Sequence, residues 1–193
     1  MSLPKDYLTY LAAQLAARLE KAGKVKLHDG GPVAAKIQQV FLDDSAREEQ
    51  LNQEVRDYLE KYSAQIRRDA ISYQEMYQLV KKELMKKYRL VPYRGRGRNG
   101  DKLSRDKVIE LSHRLVKDLS AIPQQVELLE EKNEVRLEIV RQLQALLKEE
   151  TAIDQSVRQK IRSQKRDIVE GSAEWDILFR KYYSEEMRKL GVS

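Results

Sequence analysis

The apolar residues of this chain recur in the same order after about one hundred residues, and this repetition limits the possible folds more than any other feature. Equivalent positions lie 100 residues apart near the N-terminus, 101 apart further on, and 102 apart through the remainder. Examples, in chain order, are Leu8 with Val108, Val25 with Val126, Val55 with Val157, and Tyr73 with Trp175. Both changes of offset fall between predicted helices, where insertions are tolerated. The sequence therefore predicts a tandem duplication of one unit.

Each unit is predicted to be helical. Leu8, Leu11, Leu15 and Leu19 recur at the spacing of one helix face, and the 193 residues include only 8 glycines and 4 prolines. Leu, Lys, Glu, Gln and Arg, which favour helix, recur throughout the chain. We therefore expect an all-α protein in which a small four-helix unit occurs twice.

Local capping signals set the predicted helix boundaries. Ser45 with Glu48 and Thr151 with Asp154 resemble capping boxes, which mark helix starts. Residues 24–27 alternate between polar and apolar, which indicates a short extended segment before the second helix. The first unit is predicted to contain helices over 4–21, from 32, over 45–68 and over 72–88. The second is predicted to contain helices over 105–119, 134–148, 152–168 and 174–190.

A basic, glycine-rich linker separates the two units. Residues 91–102 read VPYRGRGRNGDK, in which proline disfavours helix at the preceding residue and glycines loosen the backbone. The predicted organisation is a first helical repeat over 1–90, the linker over 91–102 and a second helical repeat over 103–193. From Lys81 to Lys107 the chain carries eleven Lys or Arg and three acids. This concentration of positive charge favours an anionic partner.

Four strings in the second half carry a family resemblance: LSRDKVIELSHRLVKDL, EVRLEI, VRQKIRS and, the most specific, EGSAEWDILFRKYYSEEMRKLG over 170–191. On these strings the second half resembles the bacterial domain-of-unknown-function family numbered 507. The first half looks like a divergent copy, with DAISYQEMYQLVKKELMKKY in place of the last string. The resemblance implies a small helical bacterial protein, and it implies no chemistry.

Two groups of arginines are candidate nucleic-acid contacts. The first lies on a predicted helix at intervals of four residues and comprises Arg158, Arg162 and Arg166. The second alternates with glycine in the linker and comprises Arg94, Arg96 and Arg98. A helix would present the first group as one cationic stripe suited to phosphates, and segments like the second bind nucleic-acid backbones without reading sequence. The alternatives are a solvated helix face with acidic partners and a flexible linker.

The string that contains the only tryptophan is a candidate partner-binding or structural site. Its candidate residues are Glu170, Gly171, Ser172, Trp175, Tyr182 and Tyr183. Gly171 permits a left-handed backbone and Ser172 can cap a helix, so this segment predicts a helix stop followed by a start. Trp175 corresponds to Tyr73, and the pair predicts a core anchor present in both units. The alternative for Trp175 is a partner-facing hot spot.

Nothing in the sequence indicates an active site. The chain has no cysteine, which excludes disulfides and thiolate chemistry, and it has no phosphate-binding loop, dinucleotide fingerprint, nucleophile elbow or HExxH. The apolar run at 8–17 is too short and too polar to span a bilayer. We expect a cytoplasmic, non-catalytic helical interaction protein without cofactor, metal or small-molecule substrate, which binds a protein partner or itself. The alternative is a nucleic-acid- or ribosome-associated protein that uses the basic linker and the arginine stripe.

Overall fold

The computed structural model describes residues 3–63, 72–92, 102–164, 166 and 168–191, and within these ranges the chain is mainly helical, as predicted. The first half contains α1 (Lys5–Lys21), β1 (Val25–Leu27), α2 (Gly30–Lys61) and α3 (Tyr73–Tyr88). The second half contains α4 (Arg105–Ser120), β2 (Val126–Leu128), α5 (Lys132–Arg162) and α6 (Ala173–Lys189). The order of helix, strand, long helix and helix is therefore the same in both halves.

Three helices in each half are given by the described residues, so the predicted four-helix unit is not confirmed. Ser45 and Thr151, predicted to open helices, lie inside α2 and α5. The Thr151 hydroxyl instead donates to the Leu147 carbonyl, 2.9 Å away in the preceding turn. Such back-bonding satisfies the hydroxyl without ending the helix. Residues 64–68, the predicted end of the third helix, lie outside the described residues.

The two short strands pair with each other in an arrangement that relates the halves. β1 and β2 are antiparallel, and the central pair joins Lys26 to Glu127, which are 101 residues apart and equivalent in the repeat. The flanking hydrogen bonds are also equivalent: the His28 amide donates to the Gln125 carbonyl at 2.9 Å, and the Leu129 amide donates to the Lys24 carbonyl at 3.0 Å. A local two-fold relation between the halves therefore passes through this pair of strands.

Both halves contribute to one hydrophobic core. α1 packs against α2 and α5, and α4 packs against α5 and α2, so each half's first helix contacts both long helices. Tyr7, Leu11 and Leu15 from α1, and Leu111 and Leu115 from α4, are buried in this single cluster. The predicted repeats over 1–90 and 103–193 thus share their core.

Equivalent positions make the contacts between α1 and α5 and between α4 and α2, but with different chemistry. The Tyr7 hydroxyl donates to the Leu146 carbonyl. At the corresponding positions, the Lys107 ammonium lies 3.1 Å from the Asp44 carboxylate. Both side chains of this ion pair are buried, and Arg114 also contacts Asp44, at 2.9 Å. One interface therefore contains a hydrogen bond from a tyrosine hydroxyl to a backbone carbonyl, and the other contains a buried ion pair.

Candidate interaction surface on helix α3

Helix α3 packs against the C-terminal half of α2, away from the main core. A second, small hydrophobic cluster joins Val55 and Leu59 of α2 to half-buried side chains of α3, namely Met76, Tyr77, Val80 and Leu84. Within Tyr73–Tyr88, all of which the structure describes, no side chain is buried. The amphipathic pattern of α3 is therefore satisfied on one side, and the rest of its apolar surface faces solvent.

Polar contacts fix the position of α3 on α2. The Tyr77 hydroxyl donates to Asn52 Oδ1 at 3.0 Å. The Lys81 ammonium donates to Glu48 Oε1 at 2.6 Å and to Asn52 Oδ1 at 2.8 Å. These hydrogen bonds join the two helices along a short stretch, so the exposed side of α3 is held in a defined orientation.

Helix α6, which follows α5 as α3 follows α2, is instead sealed into the main core. Its buried side chains are Trp175, Tyr183 and Met187. It packs against both α5 and α1, and the Tyr183 hydroxyl donates to Glu150 Oε1 at 3.2 Å. Trp175 is only 4% exposed, so it anchors the core and its indole is withdrawn from the surface.

Of the positions of α3 equivalent to these core residues, Tyr73 is exposed, while Lys81 and Met85 are half-buried. Tyr73, which the repeat aligns with Trp175, is 56% exposed, so the prediction of a shared core anchor is wrong for Tyr73. We define the α3 stripe as Tyr73, Tyr77, Lys81 and Met85, which are four residues apart and lie on one helix face. It is the counterpart of Trp175, Phe179, Tyr183 and Met187. The difference in aromatic exposure lies at the first position, where Tyr73 is exposed and Trp175 is buried, while Tyr77 and Phe179 are both half-buried.

Several cations of α3 are exposed without an acidic partner among the described residues. Lys81 and Lys86 have carboxylate partners, Glu48 and Glu83. Lys82, Lys87 and Arg89 are exposed, and the described part of the chain offers none of them a carboxylate partner. Lys82 lies nine residues after Tyr73 and so on the opposite side of the helix, and Arg89 ends the helix. The exposed surface of α3 thus carries aromatic and cationic side chains on different sides.

The arginines predicted to form one nucleic-acid-binding stripe are paired with acids, and only Arg158 and Arg162 lie on α5, because this helix ends at Arg162 and not at the predicted residue 168. Arg158 contacts Asp154 at 2.5 Å and also Glu170. Arg162 contacts Glu170 at 2.8 Å, and Arg166 contacts Glu174 at 3.3 Å. Hydrogen bonding from Arg162, together with the charge of Arg158, lowers the pKa of Glu170, so this carboxyl stays ionised. The three arginines therefore have the acidic partners that the alternative interpretation expects, and nucleic-acid binding by them stays a prediction.

The segment Glu170–Gly171–Ser172 makes the turn between α5 and α6, as predicted. Gly171 has φ +86°, a left-handed backbone that favours glycine. The Ser172 hydroxyl accepts a hydrogen bond from the Trp175 amide at 3.2 Å and so caps α6. Glu170 also pairs with Arg158 and Arg162. The predicted arginine group and the predicted Glu170 segment therefore meet at the connection between α5 and α6.

The two tyrosines predicted near a partner site occupy different environments. Tyr183 is buried beside Glu150, and burial raises its pKa. Tyr182 is half-buried: Gln164 donates to its hydroxyl at 2.5 Å, and the Lys160 ammonium lies 4.1 Å from its ring centroid. Both rings hold α6 against the end of α5. The linker arginines Arg94, Arg96 and Arg98 lie outside the described residues.

A buried polar cluster links the end of the linker to α5 and α6. Lys102 lies 3.3 Å from Glu150 and 3.0 Å from Asp154. Burial raises the pKa of Glu150, outweighing the attraction of Lys102. Burial also opposes ionisation of Asp154, but hydrogen bonds from Arg158 and Lys102 outweigh it and lower the pKa of that carboxyl. Two neighbouring carboxyls are thus shifted in opposite directions, while Glu150 Oε2 has no hydrogen-bond partner among the described residues.

Sequence reasoning passed over the α3 stripe as a functional surface, although one signal was present. Aligning the halves places Lys81 opposite Tyr183 and Lys107 opposite Tyr7. A charged side chain aligned with an aromatic one indicates a different environment at that position in the two halves. The repeat alignment therefore indicates that α3 and α6 differ at this position.

The fold and this surface define a class: a mainly helical protein of two similar halves that share one core, with α3 packed on α2 outside that core. The chain belongs to the protein family of unknown function DUF507, whose sequence pattern matches residues 1–192 and so spans both halves. No curated protein matches the chain. Across the described residues, no helix has the length and apolar character needed to cross a membrane.

Proposed function

We propose that this chain is a non-catalytic helical interaction protein that binds a protein partner through the exposed surface of α3 around Tyr73. The observation that carries the proposal is the contrast between equivalent positions. Trp175 is 4% exposed in the core, and Tyr73 is 56% exposed on a helix that buries no side chain. Exposed aromatic residues held on a rigid helix are the residue type that dominates protein–protein binding energy.

The proposal includes a tandem duplication, after which α6 of the second half stayed packed in the core and α3 of the first half became the binding helix. The equivalent strand pairing supports it, and so do the equivalent contacts of α3 and α6. Lys81 donates to Glu48 at 2.6 Å, and Tyr183 donates to Glu150 at 3.2 Å, both pairs being 102 residues apart. A cytoplasmic location belongs to the proposal as well, since the chain has no cysteine.

Site-specific photocrosslinking in cells that make the protein natively tests the proposal. A photoreactive phenylalanine replaces Tyr73 in one variant and Leu79 in the matched control, because both side chains are more than half exposed and point about 120° apart around α3. A discrete protein adduct at position 73, with none at position 79, supports binding through the surface around Tyr73. No protein adduct at position 73, or equal adducts at both, contradicts it.

Nucleic-acid binding is the second candidate, and the exposed cations of α3 favour it. Lys82, Lys87 and Arg89 have no carboxylate partner among the described residues and directly precede the basic linker. The acid-paired Arg158, Arg162 and Arg166 add little to such a surface. Fluorescence anisotropy with mixed RNA and duplex DNA at about 50 and about 200 mM salt tests this candidate, because phosphate contacts release counterions and weaken steeply with salt. Absence of binding at the lower salt concentration would remove it.

A further inference from the structure

We infer that an open cavity beside the outer edge of β2 binds a carboxylate group, through the Leu128 backbone N–H and the Lys132 ammonium. The inference concerns the second half of the chain and goes beyond protein binding by α3, so either can fail without the other. It comes from a comparison inside the molecule, because the equivalent place in the first half already holds a carboxylate of the chain itself.

The first half shows how the outer edge of its strand is capped. In an antiparallel pair, every second residue bonds to the partner strand, and the bond from the His28 amide to the Gln125 carbonyl leaves the Leu27 N–H on the outer side. Glu20, near the end of α1, accepts this hydrogen bond with Oε1 at 3.0 Å. A carboxylate of the same chain therefore satisfies the outer amide of β1.

The second half has the same amide without the carboxylate. Leu128 is the equivalent of Leu27, and the same alternation turns its N–H away from β1. Ser120 replaces Glu20, and its hydroxyl donates back into α4, to the Val116 carbonyl at 2.7 Å. The described residues give the Leu128 N–H no acceptor. This donor is therefore free to bond to another molecule.

A cavity lies where the missing side chain would reach. Its volume is about 510 Å³, within the range of small-ligand sites. Pro123, Val126 and Leu128 give it apolar walls, and Ser120 and Lys132 line it as well. The replacement of a glutamate by a serine therefore leaves both an open donor and the space for a ligand that carries an apolar group.

The charge beside the cavity favours an anion. Lys132, the first residue of α5, is exposed, and the part of the chain that the structure describes gives it no carboxylate partner. The first residue of α2 is Gly30, so the lysine is present only in the half that lacks its own carboxylate. One backbone N–H and one ammonium suit a singly charged carboxylate, as charge-assisted hydrogen bonds do elsewhere in proteins.

Two ionisable residues of β1–β2 and its flank complete the lining, namely His28 and Glu127. The Glu127 side chain lies on the opposite face of the strand from its neighbours Val126 and Leu128, because successive side chains of a strand alternate. His28 Nε2 lies 4.0 Å from its carboxylate. The acid of the lining is therefore directed towards His28, and the space next to Leu128 is left to the ligand.

Titration of the full-length protein with sodium hexanoate, followed by two-dimensional amide NMR spectra, tests the inference. Hexanoate combines one carboxylate with an apolar chain that suits the walls. We expect the Leu128 amide proton to move downfield as hexanoate binds, while the Leu27 amide proton, already bonded to Glu20, stays in place. Sodium chloride at equal ionic strength, hexanamide and inorganic phosphate are the control ligands, and each should leave the Leu128 signal nearly unchanged.

A second pair of ligands identifies the source of the carboxylate. An acetylated dipeptide that ends in leucine is titrated with a free and with an amidated C-terminus. If the free-acid peptide binds more tightly than hexanoate, the occupant is the C-terminus of a peptide; if hexanoate binds more tightly, it is a small carboxylic acid. Equal binding of the free and the amidated peptide would contradict a carboxylate site.

Three variants locate the binding. Ser120→Glu supplies the carboxylate that the first half has, so its Leu128 amide proton should lie downfield without ligand and hexanoate should bind at least about tenfold more weakly. Lys132→Gln should weaken binding about two- to fivefold, as for an exposed ion pair. Lys148→Gln is the matched control, because Lys148 is an exposed cation about 24 Å further along α5, and it should leave binding unchanged. Circular dichroism confirms that each variant keeps its helices.

Several outcomes would overturn the inference. These are a Leu128 amide signal that hexanoate does not move, hexanamide or phosphate binding as tightly as hexanoate, unchanged hexanoate binding in Ser120→Glu, and equal weakening by Lys132→Gln and Lys148→Gln. None of these results bears on crosslinking at position 73, so the proposed function is judged separately.

Discussion

Replacing Lys107 with methionine should destabilise the fold strongly, although methionine is apolar and of similar length. The side chains of Lys107 and Asp44 are each 4% exposed, and their charged groups are 3.1 Å apart. Asp44 Oδ2 already has no hydrogen-bond partner among the described residues. Removing the ammonium leaves a buried carboxylate with less compensation.

The size of the effect follows from what remains around Asp44. Breaking a buried ion pair by removing one partner costs about 3–5 kcal/mol, because the other charge stays buried and unpaired. Arg114 still contacts Asp44 at 2.9 Å, so we expect the lower end, about 3 kcal/mol. The double variant Lys107→Met with Asp44→Leu removes both charges. Since a leucine, Leu146, occupies the position equivalent to Asp44, we expect it to be within about 1 kcal/mol of the original protein.

Urea unfolding followed by far-ultraviolet circular dichroism measures both variants, with the slope of the transition compared to detect changes in the unfolded state. The reasoning predicts a large loss in the single variant and recovery in the double variant. A single variant that loses less than about 1 kcal/mol, or a double variant no more stable than the single one, would refute it.

Three further predictions concern the turn before α6 and the buried carboxyl. Gly171→Ala should lower the free energy of unfolding by about 1–2 kcal/mol, because Gly171 has φ +86°, which an alanine adopts only with strain. Since nothing lies within 4 Å of an added Cβ, the whole cost comes from the backbone, and an unchanged urea midpoint would contradict this. Ser172→Ala should cost about 1 kcal/mol through the lost cap, and Ser72→Ala, whose side chain makes no capping hydrogen bond, should cost far less; equal losses would count against the cap. Glu150→Gln should gain stability relative to the original protein as pH rises from about 4 to 7. Burial raises the pKa of Glu150 in the folded state, so the original protein loses stability as this carboxyl deprotonates and the variant does not. A parallel pH dependence of the two proteins would contradict this.

The apolar register of the helices could be predicted from the sequence because helical periodicity directly encodes which side is buried. Leu8, Leu11, Leu15 and Leu19 all lie in the core. The turn at Gly171 and Ser172 could be predicted for the same local reason, since its backbone conformation and its cap depend on adjacent residues. These features need no knowledge of which segments meet in space.

Other features depend on distant partners, and local signals were misleading there. A capping-box spacing such as Ser45 to Glu48 occurs inside a helix as well as at its start, and only packing keeps α2 continuous. The pairing of Arg162 with Glu170 crosses the turn between two helices. The exposure of Tyr73 depends on α4 not covering α3, which the helical pattern of α3 alone does not encode.

The central claim is that Trp175 is buried in the core while the equivalent Tyr73 faces solvent. The most direct test compares the unfolding free energies of the variants Trp175→Ala and Tyr73→Ala. Trp175 fills the core, so its removal should cost about 3–5 kcal/mol. Tyr73 is 56% exposed, so its removal should change stability by no more than about 0.5 kcal/mol. Similar losses in the two variants would contradict the account. In that case Tyr73 would be packed into the fold as Trp175 is, and α3 would present no exposed aromatic side chain to a partner.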